Sequence, residues 1–155
     1  MDSIERLRGA DNLSSVKDLL GTNYTKEMQE AFPDVDPGIV PFGYLIVLQI
    51  RTPRRKIGSI IVSDNERDAE RYRVQSGLVR AMGPSAFCRR DTLEPWPEGA
   101  WCRLGSFVRC PMYGGDRWEV PVPGGKADDK AVFLTVKDTD LIGLITVDPM
   151  KIITS

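Results

Sequence analysis

Catalysis needs side chains that give, take or hold charge at the right spacing, and this chain is short of them. It has no histidine. That removes serine–histidine and cysteine–histidine nucleophiles, imidazole acid–base work and histidine metal ligation together. Its three cysteines, Cys88, Cys102 and Cys110, are loosely spaced. An odd count in this pattern reads as reduced thiols, ahead of one disulfide or a metal site, because zinc would ask for a fourth ligand and a tighter pair. Carboxylates are plentiful, but none sits in a motif that would tune it as an acid or a base. Gly114-Gly115 and Gly124-Gly125 read as turn glycines, without the strand-to-helix context that cradles phosphate. No GxGxxG, P-loop or GxSxG pattern is present. The expectation is a protein that is not an enzyme, with no metal and no cofactor of its own.

What remains is recognition chemistry, and it gathers between residues 51 and 73. Arg51, Arg54, Arg55 and Lys56 precede the stretch Gly58-Ser59-Ile60-Ile61-Val62, and Asp64, Glu66, Asp68 and Glu70 follow it, interleaved with Arg67, Arg71 and Arg73. A basic cluster holds phosphates, but here no aromatics are interleaved for base stacking and the neighbouring acids cancel the field. The whole chain carries 21 basic and 22 acidic residues. Nucleic acid is therefore not an expected partner, and the charges read as solvated flanks. The apolar triplet Ile60-Ile61-Val62 within this polar stretch has two readings. It is a docking element for an apolar groove on another protein, or it is an ordinary strand packed on its own chain.

A docking element of this kind works best in several copies. Burying three branched side chains yields roughly 5–9 kcal/mol at about 1.5–3 each. Ordering a dozen loop residues costs about 1–2 kcal/mol each. One loop therefore binds weakly, whereas several on one assembly share the association cost and raise affinity by about 10²–10⁴.

The elements that must position this stretch are strands. Tyr44-Leu45-Ile46-Val47-Leu48 is the longest apolar run, far short of the roughly 20 residues of a membrane span, and it reads as a buried strand. Gly77-Leu78-Val79-Arg80-Ala81-Met82-Gly83 is a second strand bounded by glycines. Phe107 to Cys110 is a third. Trp118, Val120 and Val122 alternate with Arg117, Glu119 and Pro121, as a half-buried strand should, and Ala131 to Val136 follows a glycine turn. Many short strands with glycine turns predict a barrel or a sandwich.

Residues 1–38 differ in composition and form an N-terminal extension, partly helical. Ser15 reads as an N-cap with Gly21 at the stop, and a second short helix runs from about Thr25 to Phe32, ended by Pro33. Such helices are too short to stand alone. The arm either packs on its own subunit or docks on a neighbour. The first residues, Met1-Asp2-Ser3-Ile4-Glu5, carry acids and no apolar run, so no secretory signal is expected there. Residues 84–100 are rich in turn formers, with Pro95-Trp96-Pro97 and Gly99. Trp96 and Trp101 anchor this loop by packing, or else contact another protein.

Five motifs in order resemble the GroES-type co-chaperonins. Pro41-Phe42-Gly43-Tyr44-Leu45-Ile46-Val47-Leu48 resembles their first barrel strand, and Gly58-Ser59-Ile60-Ile61-Val62 the tip of their mobile loop. Gly77 to Gly83 resembles a strand with the same glycine spacing, Leu104-Gly105-Ser106-Phe107-Val108 a later strand, and Asp140-Leu141-Ile142-Gly143-Leu144-Ile145 the closing one. The match covers roughly residues 41–145; the first forty residues and 87–100 have no counterpart, and the charged helical turn that Ser63-Asp64-Asn65-Glu66 would cap, running through Tyr72, is foreign to the family's loop.

The resemblance implies a mainly β chain with a GroES-like small β-barrel over 39–146, a mobile loop at about 52–73, a roof-type loop at about 84–100 and a tail at 147–155. It implies a homo-oligomeric ring, of seven as in the family, in which Ile39, Val40 and Pro41 of one subunit pair with Leu141, Ile142, Leu144 and Ile145 of the next. Gly58, Ser59, Ile60, Ile61 and Val62 would bind a host or viral chaperonin, and ATP would be held by that partner. The medium-chain alcohol dehydrogenases share a GroES-like domain, but their zinc ligands and nucleotide domain have no place here. The long arm and altered roof resemble the divergent members carried by bacteriophages. Two functions follow as expectations. One is a co-chaperonin that caps an ATP-bound chaperonin in the cytoplasm of a bacterial host and assists the folding of viral proteins. The other is a phage virion protein, capsid-associated or decorating, that reuses the barrel against capsid proteins. Neither expects nucleic acid or membrane as a partner.

Overall fold

The computed structural model describes residues 14–52, 56–57, 60–61, 74–125 and 129–151. The chain is mainly β. Eight strands are present among the described residues: β1 (Leu45–Ile50), β2 (Lys56–Ile57), β3 (Ile60–Ile61), β4 (Ser76–Met82), β5 (Phe107–Arg109), β6 (Asp116–Pro121), β7 (Lys130–Lys137) and β8 (Gly143–Leu144). Among the described residues, two short α-helices, α1 (Val16–Leu20) and α2 (Lys26–Ala31), precede them. Six strands form one antiparallel sheet in the order β6-β7-β1-β4-β5-β8, and β2 with β3 forms a separate two-stranded ribbon.

The ladder is open. β6 and β8 stand at its two ends, and no pairing among the described residues joins them. The closed barrel expected from the sequence is therefore not what forms. Length explains part of this: β8 is only two residues long and pairs with β5 through Val108–Leu144 and Arg109–Gly143 alone. The sheet also buries both of its faces. Ile46, Leu48 and Ile50 of β1 join Val79, Val108, Val132, Leu134 and Val136 on one side. Val47 joins Ala81, Ala131 and Phe133 on the other, with Val35 of the arm laid over them. The period-2 alternation of strand side chains thus serves two cores, which is why β1 reads as an unbroken apolar run.

From Ser14 on, the described part of the arm packs on its own chain. Val16 and Phe32 are wholly buried against Leu78, with Met28, Ala31 and Met150 around them. Both helices begin as the sequence predicts: Ser15 Oγ accepts from the Asp18 N–H and Thr25 Oγ1 from the Met28 N–H. Polar bonds then hold the arm together and fix it to the sheet. Tyr24 donates to the Phe32 carbonyl at 2.6 Å, Gln49 Nε2 to the Pro33 carbonyl at 2.8 Å, and Trp118 Nε1 to the Pro37 carbonyl at 2.8 Å.

Arg80 is the central anchor. The β1–β4 register pairs Val47 with Ala81 and Leu48 with Val79, so Arg80 is skipped. Such a bulge re-aims a side chain, and here it turns Arg80 toward the arm. Arg80 is 1% exposed and donates to the Ser14 carbonyl (3.2 Å), the Val35 carbonyl (2.9 Å) and Gln49 Oε1 (2.6 Å).

Candidate functional site

The surface that carries the sequence-predicted contact residues is built from two segments, 39–44 and 138–147. Between Pro37 and Tyr44 the chain forms no strand. The Ile39 and Val40 amides have no hydrogen-bond partner among the described residues. Pro41 is buried, while Ile39 is 43% and Phe42 74% exposed. The turn that follows is tight: the Leu45 N–H donates to the Phe42 carbonyl and the Ser85 N–H to the Gly43 carbonyl. Gly83 explains its own identity at this point. A Cβ there would stand 2.0 Å from the Gly43 carbonyl oxygen, so the turn can lie on β4 only over a residue without a side chain.

Asp138 ties the second segment to the loop at 84–100. Its carboxylate is fully buried. It accepts from the Phe87 and Thr139 amides, both at 2.8 Å, and from the Arg90 guanidinium. Phe87 needs that hold because it sits at φ 59°, a region that costs a bulky residue about 1–3 kcal/mol. Arg90 in turn lies 3.8 Å from the centre of the Tyr44 ring. Phe87, Trp96 and Trp101 form a cluster with ring centres 4.9–6.1 Å apart. The roof-type loop is thus packed onto the sheet, with Trp96 against the first core and Trp101 left 41% exposed.

Beyond Asp138 the chain turns into β8. Leu141 is buried in the first core, Ile145 is half-buried, and Ile142 and Leu144 are 59% and 54% exposed. No strand is paired to the outer side of β8 among the described residues. Beside it lies a groove of about 250 Å³ lined by Trp101, Cys102, Val108, Leu141, Ile142, Gly143 and Leu144. Its lining carries no charged side chain. All three cysteines are free thiols, and burial pushes Cys102 up to about 12 and Cys110 up to about 11, so neither is a thiolate at neutral pH.

Of the predicted loop contact, the described part is backbone only. Ile60 pairs with Ile57 and Ile61 with Lys56, in a ribbon separate from the main sheet. Gly58, Ser59 and Val62 lie outside the described residues, as does the helical turn expected over 63–72. The structure brings Ile142 and Leu144 to one open edge and leaves Ile39 exposed, while Pro41 and Leu141 serve their own chain. Sequence reasoning missed Phe42 and the groove as surface features, while Trp101 carried two expectations, a packing anchor or a contact with another protein. A signal was available for Phe42: an aromatic between Pro41 and Gly43 sits in turn context, where a strand cannot bury it.

No protein-family model and no curated protein matches the chain. Among the described residues, no helix is long and apolar enough to cross a membrane.

Proposed function

We propose that this chain is the subunit of a co-chaperonin-like ring that caps an ATP-bound chaperonin. The observation that carries the reading is the pair of unfilled apolar features on one chain. One is the Ile39–Phe42 segment, whose amides at Ile39 and Val40 lack partners among the described residues. The other is the open edge at β8, with Ile142, Leu144 and Val147 exposed. Unpaired strand edges invite pairing with another chain, and a contact between two different patches of one chain closes only as a ring. Separation of the Ile60–Ile61 strand from the main sheet supports the second half of the reading, in which each subunit offers this ribbon to the partner. Weak docking elements repeated around a ring gain their affinity from multiplicity. Folding of viral proteins would be the service of such a cap, in the cytoplasm of a bacterial host.

The test is co-elution with a chaperonin ring on size exclusion, with and without ATP, beside an Ile60→Ser/Ile61→Ser double variant. The reading expects nucleotide-dependent co-elution that the variant loses. An absence of co-elution under every nucleotide sinks it and favours a virion component, to be sought in purified particles.

A further inference from the structure

We propose that the sheet face around Arg80 is a receptor track for a peptide segment, filled at rest by residues 31–37 of the arm and open to a partner protein's segment of the same pattern. That pattern is a branched apolar residue between two acids, with a proline on either side. The proposal does not rest on the ring reading.

The seated segment is held with a period of two. The Thr52 N–H donates to the Ala31 carbonyl at 2.8 Å. Gln49 Nε2 donates to the Pro33 carbonyl at 2.8 Å, Arg80 Nη1 to that of Val35 at 2.9 Å, and Trp118 Nε1 to that of Pro37 at 2.8 Å. Every second carbonyl from 31 to 37 is thus engaged by donors on or beside β1, β4 and β6. Burial keeps the same beat from residue 34 on: Val35 and Pro37 are buried, whereas Asp34, Asp36 and Gly38 are exposed. Main-chain bonds that give affinity, with alternate side chains in pockets that give selectivity, are a recurring way to recognise a peptide.

The four donors read backbone, and every residue carries a carbonyl, so the segment is exchangeable. Selectivity falls to one pocket and one charge. Val35 packs with Val47, Ala81, Ala131 and Phe133, and Trp118 stacks on Phe133 at 5.8 Å between ring centres. Arg80 is 1% exposed, and the three oxygens it bonds are neutral. Burial disfavours its charge, and Asp34 and Asp36, one on each side of Val35, act against that loss. An acid on each side of the pocket residue is therefore the charge pattern the track selects.

Tethering keeps the track filled. α1 and α2 are 5 and 6 residues long, too short to hold themselves, and the segment stays because it is joined to the sheet it covers. A tethered segment competes at an effective concentration in the millimolar range. A partner must match that advantage with further contacts of its own.

The probe is a fluorescein-labelled synthetic peptide with the sequence of residues 31–38, titrated with the full chain and read by anisotropy. Val35→Lys puts a cation into the segment that Arg80 holds, and leaves the track itself unaltered. The peptide should bind this variant about tenfold tighter than the unaltered chain, because the tethered competitor is weakened. Adding Arg80→Met should abolish the binding. Replacing both aspartates of the peptide by asparagine should weaken it by about threefold, the scale of an exposed ion pair. Equal binding to the variant and the unaltered chain, or binding to neither, overturns the track; an asparagine peptide that binds as well overturns the acidic preference. A second measurement does not need the variant to fold. A peptide carrying photo-leucine at the valine position, irradiated with the unaltered chain at a concentration in the millimolar range, should attach to Val47, Ala81 or Phe133. Adducts elsewhere, or none, overturn the proposal.

Discussion

Arg80 shows how one residue decides where the arm lies. Its side chain is fully buried, and desolvation lowers its pKa while Asp34, Asp36 and Tyr24 push the other way. It satisfies three acceptors at once, on the arm and on β1, a task suited to a forked guanidinium. Arg80→Met leaves those acceptors unpaired, and hydrogen bonds to charged groups contribute about 1.5–3 kcal/mol each. Urea denaturation should therefore show a loss of about 3 kcal/mol or more. Tyr24 makes a pH-dependent counterpart. Burial, then the charge of Asp34, raise its phenol to about 12, against about 10 for a free tyrosine. The fold thus favours the neutral phenol. Its contribution is complete below pH 10 and is lost as pH rises from 10 to 12. Absorbance at 295 nm should show one tyrosine titrating late, with hydrogen exchange across 16–31 accelerating over that same window.

At the scale of elements, close backbone approach governs the candidate surface. Gly83→Ala would drive a methyl group into the Gly43 carbonyl and should cost about 1–3 kcal/mol, as overpacking does. It should also displace the Phe42 turn. A melting curve read beside an assembly assay checks both effects together. The strands themselves were legible in the chain: β1 from its branched run, β4 from its flanking glycines, β6 from the alternation around Trp118, and both helix starts from Ser15 and Thr25. Two things were not. Closure into a barrel depends on how far β8 runs, and the apolar run from Leu141 to Ile145 does not announce a strand of only two residues. The bulge that turns Arg80 inward is likewise invisible, since a cation amid Val79 and Ala81 reads as a solvent-facing residue of an alternating strand. The candidate surface was half legible. Ile39, Ile142 and Leu144 were expected at a subunit interface by resemblance to a family and are exposed here, whereas the groove exists only because the segment from Trp101 to Val108 meets the distant run from Leu141 to Leu144.

The whole molecule presents a folded body with exposed apolar side chains at Ile39 and Phe42 on one segment and at Ile142 and Leu144 on another. With 21 basic and 22 acidic residues, little net charge opposes the gathering of copies. The described part of the arm closes over its own sheet, with Phe32 against Phe107 at 5.4 Å between ring centres and Met150 beside them. The proposed ring would assemble through the Ile39–Phe42 segment and the β8 edge. The most direct measurement of this account is the native mass of the purified chain. The account predicts one closed species of several copies, seven by the resemblance, with no open series of dimers and trimers beneath it. A single 17.3 kDa monomer at every concentration tested would contradict it.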